Sequence, residues 1–312
     1  MSKTILAFGE ILWDILPTGA MLGGAPFNFA YRVNMLGDQG LMVSRLGQDA
    51  LGRQARQQIA ALGMEMQTIQ EDPNHPTGTV RIFFDANRNP DITILPEVAY
   101  DYIEITEPLL ALAATVDCLC FGTVAQRAPH SRQTLQRLLD AAGNSLKVLD
   151  INLRKDCYTP ETVAQSLQRA DMLKLNEEEA RLLAQWYGLG DALPDVVASI
   201  LARWPLSCCV VTLGERGAFA ASTDGQQVYD PGYKVALVDP LGAGDAFTAG
   251  FIYERLRGCS LEACCRSGNI LGAMVAGQEG ATSALTAAEV QQFAESAVER
   301  LSDPAWSAFR TP

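Results

Sequence analysis

Apolar residues follow two alternating rhythms along the chain. Short, nearly continuous apolar runs occur at Thr4–Phe8, Val116–Phe121, Lys147–Ile151, Met172–Leu175 and Cys208–Leu213. They are rich in Val, Ile, Leu and Cys and often end in polar residues or glycine, as buried strands do. Between them, apolar positions recur at helical spacing over Phe27–Leu36, Gly52–Leu62, Ser131–Ala142, Glu177–Tyr187 and Asp195–Trp204. Strand–helix alternation of this length predicts an α/β fold with a mostly parallel sheet. On such sheets, ligands bind beyond the carboxyl ends of the strands.

Two segments break the rhythm. Ile11–Leu22 follows the first strand with no helical pattern. Thr77–Tyr102 holds two strand-like stretches, Thr79–Asp85 and Asp91–Leu95, around the turn-rich Ala86–Pro90, which predicts a hairpin. Both segments read as one small β-rich flap inserted into the main domain. An ordinary edge hairpin is the plainer alternative.

The chain has 312 residues, enough for one large domain or two modest ones, and either could bury a large core. Its 48% hydrophobic and 19% charged composition argues against a mainly disordered chain. A net charge of −12 disfavours nucleic-acid partners, although a local basic pocket stays open. No apolar run approaches the ~18 residues of a spanning helix. Met1–Pro17, broken by Glu10 and Asp14, lacks the layout of a signal peptide. A soluble, cytoplasmic protein is expected. The eight cysteines lie mostly in apolar stretches and read as reduced core thiols. With no pair of C-x-x-C motifs, and only His75 and His130 as histidines, a structural zinc or His-based metal site is not expected.

Several motifs could carry chemistry. In Val238-Asp239-Pro240-Leu241-Gly242-Ala243-Gly244-Asp245, two glycines precede an apolar, helix-like run. Free amides at a helix start bind anions, and a carboxylate at the same point can take a proton from a hydroxyl. Phosphoryl transfer needs that combination. The alternative is a glycine turn with Asp245 as a helix cap. Gly23-Gly24-Ala25-Pro26-Phe27-Asn28 reads either as a close-approach site for a small polar ligand or as a plain helix start. Asn176-Glu177-Glu178-Glu179 is a capping-box pattern that could also hold the water shell of a magnesium ion. Leu149-Asp150-Ile151-Asn152-Leu153-Arg154 ends a strand in polar groups, and Arg154 could pair with a phosphate or a substrate oxygen. Val211-Thr212-Leu213-Gly214-Glu215-Arg216-Gly217 reads as a strand, a glycine turn and a returning strand, where Thr212 and Gly214 could border a nucleotide. There is no Walker A pattern and no protein-kinase signature set.

Taken in order, from Ala7-Phe8-Gly9-Glu10 and Asp14 through these motifs to Gly280-Ala281, the chain resembles the ribokinase-like (PfkB) carbohydrate kinases, most closely their fructokinase-like branch. The resemblance covers essentially the whole chain. It implies a single three-layer α/β/α sandwich with a β-sheet lid, in agreement with the flap. It implies that Asp245 is the catalytic base and that the amides of Gly242, Ala243 and Gly244 form the anion hole. Asp14, Gly24, Asn28 and Arg154 match sugar-contacting positions. Asn176 and Glu179 match the motif that orders magnesium and phosphate, with Glu179 acting through water. Thr212, Gly214 and Asn269 match the nucleotide side, and Asp239 matches a monovalent-cation (K+) position. Pro240-Leu241 departs from the Thr or Val common in relatives, and Pro240 stiffens the loop and removes an N–H. The implied reaction is ATP- and Mg2+-dependent phosphorylation of a small sugar, with fructose or a similar hexose first, then 2-keto-3-deoxygluconate, then a riboside. Ala25-Pro26-Phe27, in place of a Lys, points to unphosphorylated ketoses, while Arg81 and Arg88 in the flap keep acidic sugars open. A non-catalytic sugar- or nucleotide-binding regulator is the alternative of another class. The alternating apolar residues Val80, Ile82, Phe84, Ile92 and Ile94 are expected to cover the sugar or to meet the lid of a second subunit in a homodimer.

Overall fold

The computed structural model describes residues 2–16, 19–84 and 90–310, and the side chains of residues 16, 82–84 and 90–92 lie outside the described set. In chain order the elements are β1 (Thr4–Phe8), β2 (Leu12–Leu16), β3 (Gly19–Gly23), α1 (Ala25–Met35), β4 (Gln39–Gly47), α2 (Ala50–Ala61), β5 (Ile69–Asp72), β6 (Gly78–Phe84), β7 (Pro90–Ile94), α3 (Glu107–Ala113), β8 (Cys118–Phe121), α4 (Pro129–Ala141) and β9 (Leu146–Asp150). There follow α5 (Pro160–Leu167), β10 (Met172–Asn176), α6 (Glu177–Tyr187), α7 (Leu193–Arg203), β11 (Cys208–Thr212), β12 (Ala218–Ser222), β13 (Gln227–Asp230), β14 (Gly232–Tyr233), α8 (Ala243–Arg255), α9 (Leu261–Ala276), α10 (Ala287–Glu295) and β15 (Arg300–Leu301).

Nine strands form the main sheet in the order β13-β12-β11-β10-β9-β8-β1-β4-β5. It is parallel except at β12 and β13, where the glycine turn after β11 sends the chain back antiparallel. The strands are buried on both faces, and alternate residues feed two separate cores. Leu6, Phe8, Cys209 and Val211 enter one, while Ile5, Ala7, Cys208 and Val210 enter the other. This two-sided burial explains why the strands read as continuous apolar runs rather than as alternating ones. The eight cysteines are all free thiols, seven of them buried. Burial pushes Cys208 up to about 12, so these thiols behave as core residues.

β2, β3, β6 and β7 form a second sheet of four strands, ordered β3-β2-β6-β7. The two segments that broke the helical rhythm therefore do join each other, through the parallel pairing of β2 with β6. Arg127, in the turn after β8, ties this sheet to the body. Its guanidinium donates to the carbonyls of Ile94 (3.1 Å) and Leu95 (2.6 Å) and forms a two-point pair with Asp101. The apolar face expected on the flap is partly internal. Val80 is buried in the main core and Ile94 packs against it, because the inserted segment returns through a short 3₁₀ turn with Tyr100 fully buried beneath the sheet. The side chains of Ile82, Phe84 and Ile92, and all of Arg88, lie outside the described residues. Among the described residues no helix is long and apolar enough to cross a membrane.

Candidate active site

The carboxyl ends of β9, β10 and β11 stand side by side, with Asp150 opposite Lys174 and Asn176 opposite Thr212. The start of α8 lies over this edge. Gly242 caps α8 with φ +78°, and a side chain there would sit 2.4 Å from the Ala281 Cβ. Glycine is therefore required at 242 both for its backbone region and for the close approach of residue 281. Asp239 accepts hydrogen bonds from the N–H groups of Leu241 (2.9 Å) and Gly280 (3.1 Å), which locks the two loops together. The fully buried Arg32 of α1 adds bonds to the carbonyls of Ala281 and Ser283.

Asp245 sits in the first turn of α8 but does not cap it. Its Oδ2 accepts a 2.8 Å hydrogen bond from Asn28 Nδ2, across 217 residues of sequence. The N-cap of α8 is Gly242, with no side-chain cap bond, so Asp245 is not the helix cap. Burial and the nearby Asp150 carboxylate raise its pKa to about 6, against the opposing pull of Asn28, Lys174 and Arg154. Asn28 is buried, and its Oδ1 has no protein partner among the described residues. An acceptor orphaned beside a carboxylate of this kind is a place for a ligand hydroxyl.

The other positions expected to contact sugar are placed as follows. Gly24 follows β3 and caps α1 with φ +120°, and any Cβ would strike the Glu10 carbonyl at 2.4 Å. Asp14 on β2 is pushed up to about 6 by burial, opposed by Arg154. Glu10, just beyond β1, is pushed up to about 7 by burial, against hydrogen bonds from its own N–H and that of Ala25, with Asp245 adding to the rise. Arg154, itself exposed, lowers all three carboxyls.

Of the three amides expected to form an anion hole, those of Gly242 and Gly244 have no protein acceptor among the described residues, while Ala243 N–H makes a 3.3 Å bond to the Pro240 carbonyl. Beneath Gly244 lies a network that the motif reading missed. Lys174 Nζ pairs with both oxygens of Asp150 at 2.9 and 3.2 Å. Thr248 Oγ1 donates to Asp150 at 2.7 Å, and the ammonium stands 3.3 Å from where a Gly244 Cβ would be. Burial lowers the Lys174 pKa, but Asp150, Glu179 and Asp245 more than reverse that, so the ammonium stays charged. The overlooked signal was a lone lysine inside an apolar strand.

Ala243 and Gly244 also line a cavity of about 450 Å³, together with Thr212, Gly214, Asn269 and the exposed Leu237. The Asn269 amide donates to the carbonyl and carboxylate of Asp230, so this residue also braces the cavity wall. Asn176 and Glu179 do not line the cavity. They close the capping box of α6, and the second Glu179 oxygen accepts from Leu153 N–H at 2.8 Å. Burial raises the pKa of Glu179, opposed by Lys174 and these amides. Among the described residues no group of three or more His, Cys, Asp or Glu side chains is placed to hold a metal ion.

The sequence profile of the pfkB family carbohydrate kinases matches residues 19–288. The chain is 31% identical to a fructokinase of Klebsiella pneumoniae over 265 residues, 81% of this chain and 84% of that one. It is 28% identical to fructokinase-1 of Oryza sativa, over 95% and 99% of the two chains. Its fold is similar to that of a Vibrio cholerae fructokinase solved with fructose, ADP and calcium (TM-score 0.79, 25% identity, 94% and 99% covered). It is also similar to that of a Xylella fastidiosa fructokinase with bound ATP (TM-score 0.80, 21% identity, 94% and 98% covered). With this profile matched over most of its length, and with a fructokinase relative above 30% identity, the chain belongs to the pfkB family of carbohydrate kinases and is a sugar kinase.

Proposed function

We propose that the protein transfers the γ-phosphate of ATP to a hydroxyl of an uncharged ketohexose, fructose foremost, with Asp245 as the base. The observation that carries this reading is the Asn28–Asp245 bond, which holds a carboxylate clear of helix capping, beside an orphan acceptor, one residue from the nucleotide cavity. A sugar hydroxyl placed there would donate toward Asp245 as it attacks. The amides of Gly242 and Gly244 would take the charge of the transferring phosphoryl group, since free donors at a helix start suit developing negative charge.

Charge supports a neutral sugar. Glu10, Asp14 and Asp245 surround the sugar side, with Arg154 as the cation acting on all three. A substrate carboxylate or phosphate would meet like charge there, which costs affinity. Arg154 together with the exposed Arg81 on β6 supports 2-keto-3-deoxygluconate as the second reading. The small sheet acts as a lid that keeps water from the transfer, and its apolar residues cover the sugar or meet the lid of a second copy of the chain.

Thr212, Gly214 and Asn269 border the nucleotide, and Asn176 stands in register beside Thr212 at the strand ends. Mg2+, when bound, supplies neutralising charge to the phosphates. Both Glu179 oxygens already accept amides, so this residue fits a water-mediated contact rather than a direct one. Asp239 is likewise engaged at both oxygens and would offer K+ only its remaining lone pairs.

The test is a comparison of kcat/KM for fructose and for 2-keto-3-deoxygluconate with saturating ATP and Mg2+. Fructose should be preferred by about tenfold or more, the scale on which one mismatched group discriminates. Preference for the acid sugar would overturn the neutral-substrate reading.

A further inference from the structure

A second cavity, of about 440 Å³, lies behind the nucleotide cavity. Its charge runs against that of the chain as a whole. Arg266 of α9, Arg300 of β15 and Arg310 near the carboxyl end converge on it from three separate segments, with Asp230 and Glu262 as the acids. These side chains sum to +1 in a chain of net charge −12. The arginines differ in how far they are committed. Arg300 is tied to Asp230 Oδ2 at 2.7 Å, to the Pro231 carbonyl and to the Tyr233 hydroxyl. Arg266 is half-exposed, pairs with Glu262 one turn away at 3.2 Å and reaches Asp230 Oδ1 at 4.0 Å. The Arg310 guanidinium and the Ser307 hydroxyl have no side-chain partner among the described residues, and both face the cavity.

The two cavities share a wall. Asp230 is almost fully buried, and its Oδ2 is held from one side by Arg300 and from the other by Asn269 Nδ2, both at 2.7 Å. Asn269 faces the nucleotide cavity. Arg300 also lies over the Tyr233 ring at 4.0 Å, and Tyr233 lines the nucleotide cavity too.

We propose that this arginine-lined cavity binds the phosphate group of a small phosphorylated molecule, and that occupancy weakens nucleotide binding across the shared wall. The proposal rests on the reading of the first cavity as the nucleotide site. Arg310, Arg266 and Ser307 are the donors, in the fork geometry that suits a phosphate. A phosphate dianion competes with Asp230 for Arg300. A released Asp230 loosens Asn269 and Tyr233, and the KM for ATP rises. By linkage, ATP weakens phosphate binding to the same extent.

The phosphate group could come from inorganic phosphate or from a hexose monophosphate, and the experiment uses each as a separate probe. KM for ATP is measured at fixed saturating sugar while each probe is titrated, in the unmodified enzyme and in the Arg266→Gln/Arg310→Gln double variant. Both substitutions are at exposed positions outside the catalytic machinery. Arg300 is left intact because it braces the fold. In the unmodified enzyme KM for ATP should rise to a plateau, by about fivefold or more, the low end of ordinary coupling. In the double variant the rise should disappear while kcat and KM without probe stay unchanged. Response to both probes identifies the phosphate group itself as the ligand, and response to the hexose monophosphate alone identifies the phosphorylated sugar. A rise without plateau that persists in the double variant is direct competition at the active site and overturns the inference. So does the absence of any rise while ATP turnover remains intact. Failure of the underlying reading looks different, because the unmodified enzyme would then show no ATP turnover.

Discussion

The two halves of the active-site edge use the same residue types with opposite compensation. On the side proposed for the sugar stand Glu10, Asp14 and Asp245, and the cation acting on all three is the exposed Arg154. On the phosphate side, Asp150 contacts a buried ammonium, Glu179 lies beside the same ammonium and holds two backbone amides, and Asp239 holds two more. Carboxylates of the second group are structural members whose acceptor capacity is largely spent. Those of the first group have no buried cation in hydrogen-bond contact among the described residues, and burial carries their pKa values up to between about 6 and about 7. A buried acid short of partners is held at a cost in stability, and such acids are expected where a substrate supplies the missing contacts.

The largest effect should come from removing the under-compensated acid at the centre. Asp245→Asn keeps the shape and the bond to Asn28 but deletes the base. General-base catalysis contributes about 10²- to 10⁴-fold, so kcat should fall in that range with KM for ATP little changed. In the unmodified enzyme the base works only when ionised, so kcat should fall as pH drops through about 6, and that acid limb should vanish in the variant. Turnover of Asp245→Asn within threefold of the unmodified enzyme would remove Asp245 from the chemistry.

That residue was legible in the sequence because glycines on either side of Ala243 break an apolar pattern just before a helix. The same punctuation exposed Gly24, Asn28, Thr212 and Gly214. The pairing of Asn28 with Asp245 was not legible, since 217 residues separate them and only the order of the strands in the sheet brings α1 beside α8. Lys174 was passed over because a single charge inside Met172–Leu175 looks like an interruption of a buried strand. Its meaning depends on Asp150, which the parallel register of β9 and β10 places opposite it. Gln39–Gly47 went unread as a strand, although it is buried along most of its length, because Ser44 and Arg45 dilute its apolar run. Arg45 is kept by pairs with Asp72 and Glu104 that local sequence does not show. Asn176 and Glu179 were read two ways, and the capping box is the one seen in the structure.

The second test substitutes a glutamate on the compensated side. In Glu179→Gln the side chain keeps one acceptor oxygen, but its new NH₂ must face an amide N–H, either that of Leu153 or that of Asn176. Leaving a buried donor unsatisfied costs about 1–3 kcal/mol. Thermal unfolding should therefore move down by a few degrees, and the substitution is not the neutral cap replacement that the sequence pattern alone suggests. An unchanged melting temperature with a higher magnesium requirement would show that the amide bonds are incidental and that the metal role dominates.

The same substitution on the other side should behave differently. Glu10 is as buried as Glu179, but its charged neighbours are Asp245, which raises its pKa, and the exposed Arg154, which lowers it less than burial raises it. Its folded-state pKa of about 7 lies above the ordinary glutamate value of 4.5, so the native state holds its proton more tightly than the unfolded chain does. The sign follows from linkage. Stability is highest at acidic pH, where both states are protonated, and declines as pH rises from the unfolded value through the folded one. Between pH 5.5 and pH 8 this single group should cost the enzyme roughly 1–2 kcal/mol, on the scale of 1.36 kcal/mol per unit. Glu10→Gln removes the titration while keeping an acceptor for the Ala25 N–H. Its melting temperature relative to the unmodified enzyme should therefore be more favourable at pH 8 than at pH 5.5, whatever fixed penalty the amide incurs at both. Circular dichroism melts at the two pH values measure that difference directly. A difference of zero would mean that Glu10 ionises as freely as in the unfolded chain. The sugar side would then be as well compensated as the phosphate side, and the contrast between the two halves would fail at its most buried member.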